Sequence, residues 1–271
     1  SLIYSILKQA NFKAAQLGTL GVIADGFDKN KTLTTPDPIT LHKILRDLSN
    51  NSFTHVVMEV SSHALDQFRV ADIDFDISIF TNLTKEHLDY HNDMETYFKT
   101  KSRLFRMMPI TGTSIIHTDK DYGIKMKLES SAPVVSISMN DTGDIYYKDI
   151  NYSLSGINGF IKAGNKKIVF NSSLVGEFNA ENILSAVSAG ITLNISTNII
   201  ERAIEETDLI EGRMEIFKTK DEKSIVVDYA HTPDSYFKVL STLKKLHRSK
   251  NKMHVLFGCG GNRDSTKRSE M

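Results

Sequence analysis

The sequence predicts an α/β protein: a mostly parallel sheet flanked by helices, with a small antiparallel sheet and the start of a second αβ unit. Three observations predict it. Through the first 120 residues, apolar runs of strand length alternate with stretches of helical period. From about residue 133 to 175 the runs become short and alternating, divided by Gly and Asn. Beyond residue 211 a strand–helix–strand pattern starts afresh.

The elements follow in order. Ser1-Leu2-Ile3-Tyr4-Ser5-Ile6-Leu7 reads as a helix already under way, with Leu2, Ile3, Ile6 and Leu7 on one face. Residues 37–49 (DPITLHKILRDLS) and 93–106 (DMETYFKTKSRLFR) read as helices, each opening on an acidic residue that suits a helix N-terminus. Residues 55–60 (HVVMEV), 75–80 (FDISIF) and 113–117 (TSIIH) are near-continuous apolar runs, the mark of parallel strands covered on both faces. VVSIS, DIYYKDINYSL, NGFIKAG and KKIVFNSSL predict antiparallel hairpins. Helices follow at 179–193 and 196–209, then EGRMEIF, a strand at 223–230, a helix from Pro233 to about His247 and a strand at 254–259. The domains expected are 1–211 and 212–271, with the boundary near 211–215. Both ends look cut inside structure: a helix is in progress at Ser1, and Lys267-Arg268-Ser269-Glu270-Met271 trails a Gly-rich turn.

Composition narrows the function classes. Thirty-three basic residues balance thirty-three acidic ones, which argues against nucleic acid or an anionic membrane as the main partner. The single cysteine, Cys259, excludes an internal disulfide and fits a reducing cytosol. No apolar run approaches the roughly 18–20 residues of a membrane span, and no secretory leader opens the chain.

The chemistry gathers where strands end. MEVSSHALDQFRV (58–70) and FTNLTKEHLDYH (80–91) each begin apolar and stop in ionisable groups. Ligands of open parallel sheets bind beyond the carboxyl ends of strands. Glu59 and His87, with Asp89 and His91 nearby, form a candidate divalent-cation site, and equally a set of polar caps for turns and helices. Lys101, mid-helix, reads by periodicity as a solvated charge. Thr34-Thr35-Pro36 before a helix is a cap and turn, or a pair of hydroxyls for an anion. The Gly258–Asp264 turn follows a strand and allows close backbone approach to a phosphate or a partner domain, and no GxxxxGK[ST] occurs.

Taken in order, TTPDP, MEVSSHALDQFRV, FTNLTKEHLDYH, YFKTKSRLF, GEFNAENILSA, GRME, VDYAHTPDS and FGCGGNRD resemble the Mur ligases over nearly the whole chain. The resemblance implies a central ATPase domain followed by the start of a Rossmann-like C-terminal domain. It also implies that an N-terminal uridine-nucleotide domain, a P-loop and an amino-acid-selecting DNPR-type segment lie outside these residues, so the isolated chain is expected to be inactive. The implied reaction is ATP-dependent: the D-glutamate carboxylate of UDP-MurNAc-L-Ala-D-Glu becomes an acyl phosphate, and a diamino acid amine displaces phosphate. By the family pattern Glu59 and His87 hold Mg2+, and Lys101 matches a lysine that becomes a carbamate and a further metal ligand. Thr34, Thr35, Ser61, Gln67 and Arg69 match positions on the muramyl-peptide acceptor. Asn179, Asn182, Arg213, Asp228 and His231 match positions around ATP. Partners implied are that acceptor and a diamino acid, meso-diaminopimelate rather than L-lysine by the form of GCGGNRD, with a monomeric cytoplasmic enzyme and no nucleic acid or membrane insertion. One departure is Lys267-Arg268-Ser269 where the family often has KRP. Competing expectations are a related folylpolyglutamate synthetase, a metal-dependent hydrolase built on Glu59, His63, His87, Asp89 and His91, and a non-catalytic binding module.

Overall fold

The computed structural model describes residues 1–27, 33–207, 212, 214–220, 223–246, 252–258 and 267–271. Helix α1 (Leu2–Gln9) leads into β1 (Ala14–Gly18), which turns back as β2 (Gly21–Ile23). Helix α2 (Pro38–Asn50) begins at Asp37, whose carboxylate accepts the Thr40 N–H, with Pro38 at its first position. Strand β3 (His55–Met58) then pairs parallel with β1, completing a three-stranded sheet in the order β2-β1-β3. A short helix α3 (Ser62–Asp66) follows β3 at once.

The main sheet has six strands: β4 (Ile77–Phe80), β5 (Thr113–His117), β6 (Val134–Ser138), β7 (Ile145–Ser153), β8 (Gly156–Ala163) and β9 (Lys166–Ser172), in that spatial order. Pairing is parallel from β4 to β7 and antiparallel from β7 to β9. The antiparallel stretch therefore continues the parallel sheet. VVSIS, expected among the hairpins, is a parallel strand, because Ser114 N–H bonds to the Pro133 carbonyl as β6 starts and lays it beside β5. A register shift between Tyr147 and Asp149 marks a bulge in β7.

Helices cover both faces. Adjacent residues of β5 serve opposite layers: Ile115 packs with α1, α7 (Glu177–Thr192) and α8 (Thr197–Glu205), while Ile116 packs with α5 (Met94–Arg106) and α6 (Asp121–Glu129). Both isoleucines are fully buried, each stabilising the fold by about 1.5–3 kcal/mol relative to exposure. That two-sided burial is why the sequence there reads TSIIH without polar alternation. Between α3 and α5 lies a one-turn helix α4 (Leu88–His91).

The C-terminal part holds a ribbon of β10 (Glu215–Lys218) and β11 (Ser224–Val227), then α9 (Pro233–Leu246) and a last turn α10 (Lys267–Glu270). The strand expected at 254–259 is not found: residues 252–258 join no sheet, and Leu256 is fully exposed. An apolar run becomes a strand only where a neighbour offers a ladder, and among the described residues β10 and β11 pair only with each other. Cys259, most of the Gly-rich turn, Arg213 and His247 lie outside the described residues.

Candidate active site

The first cluster is built on the residues just past β3. The Glu59 N–H donates to the Leu17 carbonyl at 2.9 Å, extending the β1–β3 pairing by one step. Its carboxylate accepts from the Thr19 hydroxyl at 3.0 Å and from the Thr19 N–H at 3.3 Å. Thr19 Oγ1 is in turn 3.2 Å from Thr34 Oγ1. Thr35 is buried; its hydroxyl donates to the Glu59 carbonyl at 2.8 Å and accepts the Ser61 N–H at 3.0 Å. Ser61 then caps α3 by accepting the Ala64 N–H at 3.2 Å. One hydroxyl thus fixes the turn by which β3 becomes α3.

The acceptor candidates Gln67 and Arg69 lie at the other end of α3. Arg69 Nη1 donates to the Thr35 carbonyl at 2.7 Å, and its Nε and Nη2 grip Gln67 Oε1 at 3.0 and 2.6 Å. Gln67 Nε2 reaches the Tyr90 hydroxyl at 3.4 Å, and that hydroxyl donates to Asp66 at 2.9 Å. Thr34, Thr35, Ser61, Gln67 and Arg69 therefore share one chain of contacts with Glu59.

The second cluster surrounds His87 and begins one residue further along the same turn. Ser62 Oγ is 2.8 Å from His91 Nε2, and the His63 ring lies 5.3 Å from His87 and 5.8 Å from His91. His87 adopts a left-handed backbone with φ of 56°, uncommon outside glycine, which starts α4 abruptly. His91 stacks on Tyr97 at 4.8 Å, and the Lys101 ammonium lies over the Tyr97 ring at 5.3 Å. Burial lowers the pKa of Lys101, with the Glu86 carboxylate opposing. Burial likewise lowers His87, with Glu86 opposing, His63 and Lys101 reinforcing, and Asp89 opposing as well. Lys101 is thus no solvated charge: it faces the centre of this cluster.

Glu59 and His87 belong to neighbouring groups joined through Ser61, Ser62 and His63. Among the described residues no three His, Cys, Asp or Glu side chains are grouped to hold a metal ion, so the closed ligand set a hydrolase would need is not formed. Mg2+ asks for less, since one or two carboxylates with water and phosphate suffice, and the donor set of Glu59 and His87 fits that demand.

The nucleotide candidates are spread more widely. Asn179 is buried on α7, its Nδ2 donating to the Val175 carbonyl at 2.9 Å, while exposed Asn182 donates to Asn179 Oδ1 at 3.3 Å. Asp228 accepts the Met214 and Ala230 N–H groups, each at 2.8 Å. His231 Nδ1 faces the Tyr229 carbonyl at 2.9 Å, and its Nε2 lies 3.7 Å from Glu86. Glu86 went unassigned in the sequence reading, although the KEH of FTNLTKEHLDYH offers it beside His87. Thr19, Ser62 and Tyr97 were also missed, because a hydroxyl or phenol carries no pattern until its partner is placed.

Residues 1–190 match the Mur ligase middle domain, and residues 212–271 match the Mur ligase glutamate ligase domain. The chain belongs to the Mur ligase family. A relative from Nostoc sp. (strain PCC 7120), named UDP-N-acetylmuramoyl-L-alanyl-D-glutamate--2,6-diaminopimelate ligase, is 40% identical over all of this chain and 55% of its own length. A solved structure bearing the same enzyme name superposes with a TM-score of 0.78 at 32% identity, again over 100% of this chain and 55% of that one. Mycobacterium tuberculosis folylpolyglutamate synthase complexed with ADP gives a TM-score of 0.73 over 90% of this chain and 62% of its own, at 12% identity, and shares the fold alone. This Mur ligase chain thus spans about half the length of the curated relatives it matches. Among its described residues no helix is long and apolar enough to cross a membrane.

Proposed function

We propose that the chain forms the central part, and the beginning of the C-terminal part, of a cytoplasmic, monomeric ATP-dependent amide ligase. The enzyme joins meso-diaminopimelate to UDP-N-acetylmuramoyl-L-alanyl-D-glutamate through an acyl phosphate. The observation that carries this reading is the arrangement past β3: the acceptor candidates Thr34, Thr35, Ser61, Gln67 and Arg69 form one bonded set with Glu59, and His63 of the adjoining turn lies beside His87. The enzyme names carried by the sequence relatives support diaminopimelate, and the low identity of folylpolyglutamate synthase makes the folate alternative the weaker one.

The chemical task is to bring two anions together, the acceptor carboxylate and the terminal phosphate of ATP. Arg69, already turned toward Thr35, offers positive charge to the acceptor. Glu59 and His87, with Lys101 as its carbamate, would hold Mg2+, which when bound neutralises charge developing on the transferred phosphoryl group. Asn179, Asn182, Arg213, Asp228 and His231 are assigned to the nucleotide, and the domains divide near residue 211.

The test is made on the full product of the gene that encodes these residues. Incubation with the muramyl dipeptide, meso-diaminopimelate, ATP and Mg2+ should give the tripeptide product and ADP, read by mass spectrometry. Glu59→Gln should reduce kcat by about a hundredfold or more. Equal turnover in Glu59→Gln, or ligation of glutamate to a folate in place of the muramyl dipeptide, would end this reading.

A further inference from the structure

We propose that Glu86 is a positioning residue that seats the C-terminal segment against the His87 cluster. The inference rests on the ligase reading above. A single oxygen, Glu86 Oε1, lies 3.8 Å from His87 Nε2 and 3.7 Å from His231 Nε2. The two imidazoles come from different family regions, His87 from the middle domain and His231 from the glutamate ligase domain. Both separations exceed hydrogen-bond length, so the carboxylate meets the two rings by close approach and not by a direct hydrogen bond.

The local geometry explains how one carboxylate serves both. His87 has a left-handed backbone beside Glu86, and the Glu86 carboxylate lies near both its ring and that of His231, which stands two residues before α9. His231 is held for this contact by its Nδ1 against the Tyr229 carbonyl and its N–H on Ser235 Oγ at 3.1 Å, so Nε2 is the atom free to meet Glu86. Glu86 also acts electrostatically on Lys101 and Tyr97, placing one negative charge among groups assigned to metal and nucleotide. Losing that charge should leave the fold intact but let the nucleotide-side segment drift from the reacting end.

Two measurements test it. In the 271-residue chain with Cys259→Ser, Glu86→Cys and His231→Cys together should cross-link efficiently with a short bismaleimide, whereas either cysteine alone should not. In the full gene product, Glu86→Gln should lower kcat about tenfold with acceptor KM within about twofold, and Glu86→Asp should recover part of the loss. Adding His231→Asn to Glu86→Gln should cost no more than about twofold further, because one interaction is removed twice. Failure of the cross-link, or fully additive losses, overturns the proposal. A wild-type protein that ligates nothing overturns the ligase reading instead, and the cross-link still decides whether Glu86 and His231 meet.

Discussion

The backbone of Gly18 lies against the carboxylate of Glu59: a β-carbon built on residue 18 would sit 2.8 Å from Glu59 Cδ and 2.9 Å from its Oε1. The obstacle is the far end of a flexible side chain, so Gly18→Ala should leave β1 standing and push the carboxylate off Thr19. Stability should change by less than about 1 kcal/mol, while kcat/KM falls at least about tenfold. Urea denaturation beside ligation kinetics checks the pair of effects. Unchanged kinetics would mean that the position of Glu59 is immaterial.

Thr35 offers a stability counterpart. Its buried hydroxyl both donates to Glu59 O and accepts from Ser61 N–H, so Thr35→Val removes two bonds within an unchanged volume. The Ser61 N–H and Glu59 carbonyl then lose this partner, and the expected cost is about 1–3 kcal/mol. Thr35→Ser keeps the oxygen and should lie nearer the parent. The midpoint of chemical denaturation separates the two variants.

Much of this layout was legible in the sequence, and the part that was not has a physical cause. The run at 113–117 read correctly because a doubly covered strand must be apolar on both faces. Strand β1, AAQLG, was missed since two alanines and a glycine carry little strand propensity, and its pairing with β3 makes it one. Lys101 showed the limit of helical periodicity, which sorts faces without saying what a face meets. Its assignment came from family likeness, and its burial only from the fold. Glu86 was hidden for the opposite reason: its meaning depends on His231, some 145 positions away in the chain.

Asp119, at the carboxyl end of β5, gives a prediction with a definite sign. Burial pushes its pKa up, but the His117 ring 3.8 Å away and hydrogen bonds from the Ser138 hydroxyl and the Met139 N–H together hold it below the usual 3.8. A carboxylate depressed in the folded state contributes stability that is fully present above its unfolded value and lost as pH falls through the folded one. Asp119→Asn should therefore be less stable than the parent at neutral pH, by about 1 kcal/mol. The gap should narrow once pH drops below about 4. Denaturation at pH 7, 5 and 3 measures it; a gap that widens in acid would contradict the assignment.

Lys101 carries the last prediction. Forming a carbamate joins the amine nitrogen to the carbon of CO2 and releases a proton, and only the neutral amine reacts. Burial lowers the Lys101 pKa, so neutral amine is available at a lower pH than for a solvated lysine, even though Glu86 partly opposes the shift. The carbamate then replaces a buried cation by an anion beside His87, which suits a bound divalent ion and not an empty cluster. In 13C-bicarbonate, the chain should show a carbamate carbonyl signal that strengthens when Mg2+ is added. Lys101→Arg keeps a positive charge but cannot form the carbamate, so the signal should vanish and ligation should fall by about a hundredfold or more in the full gene product. A signal that persists in Lys101→Arg would assign the carbamate to another lysine, and full activity in that variant would remove Lys101 from the chemistry altogether.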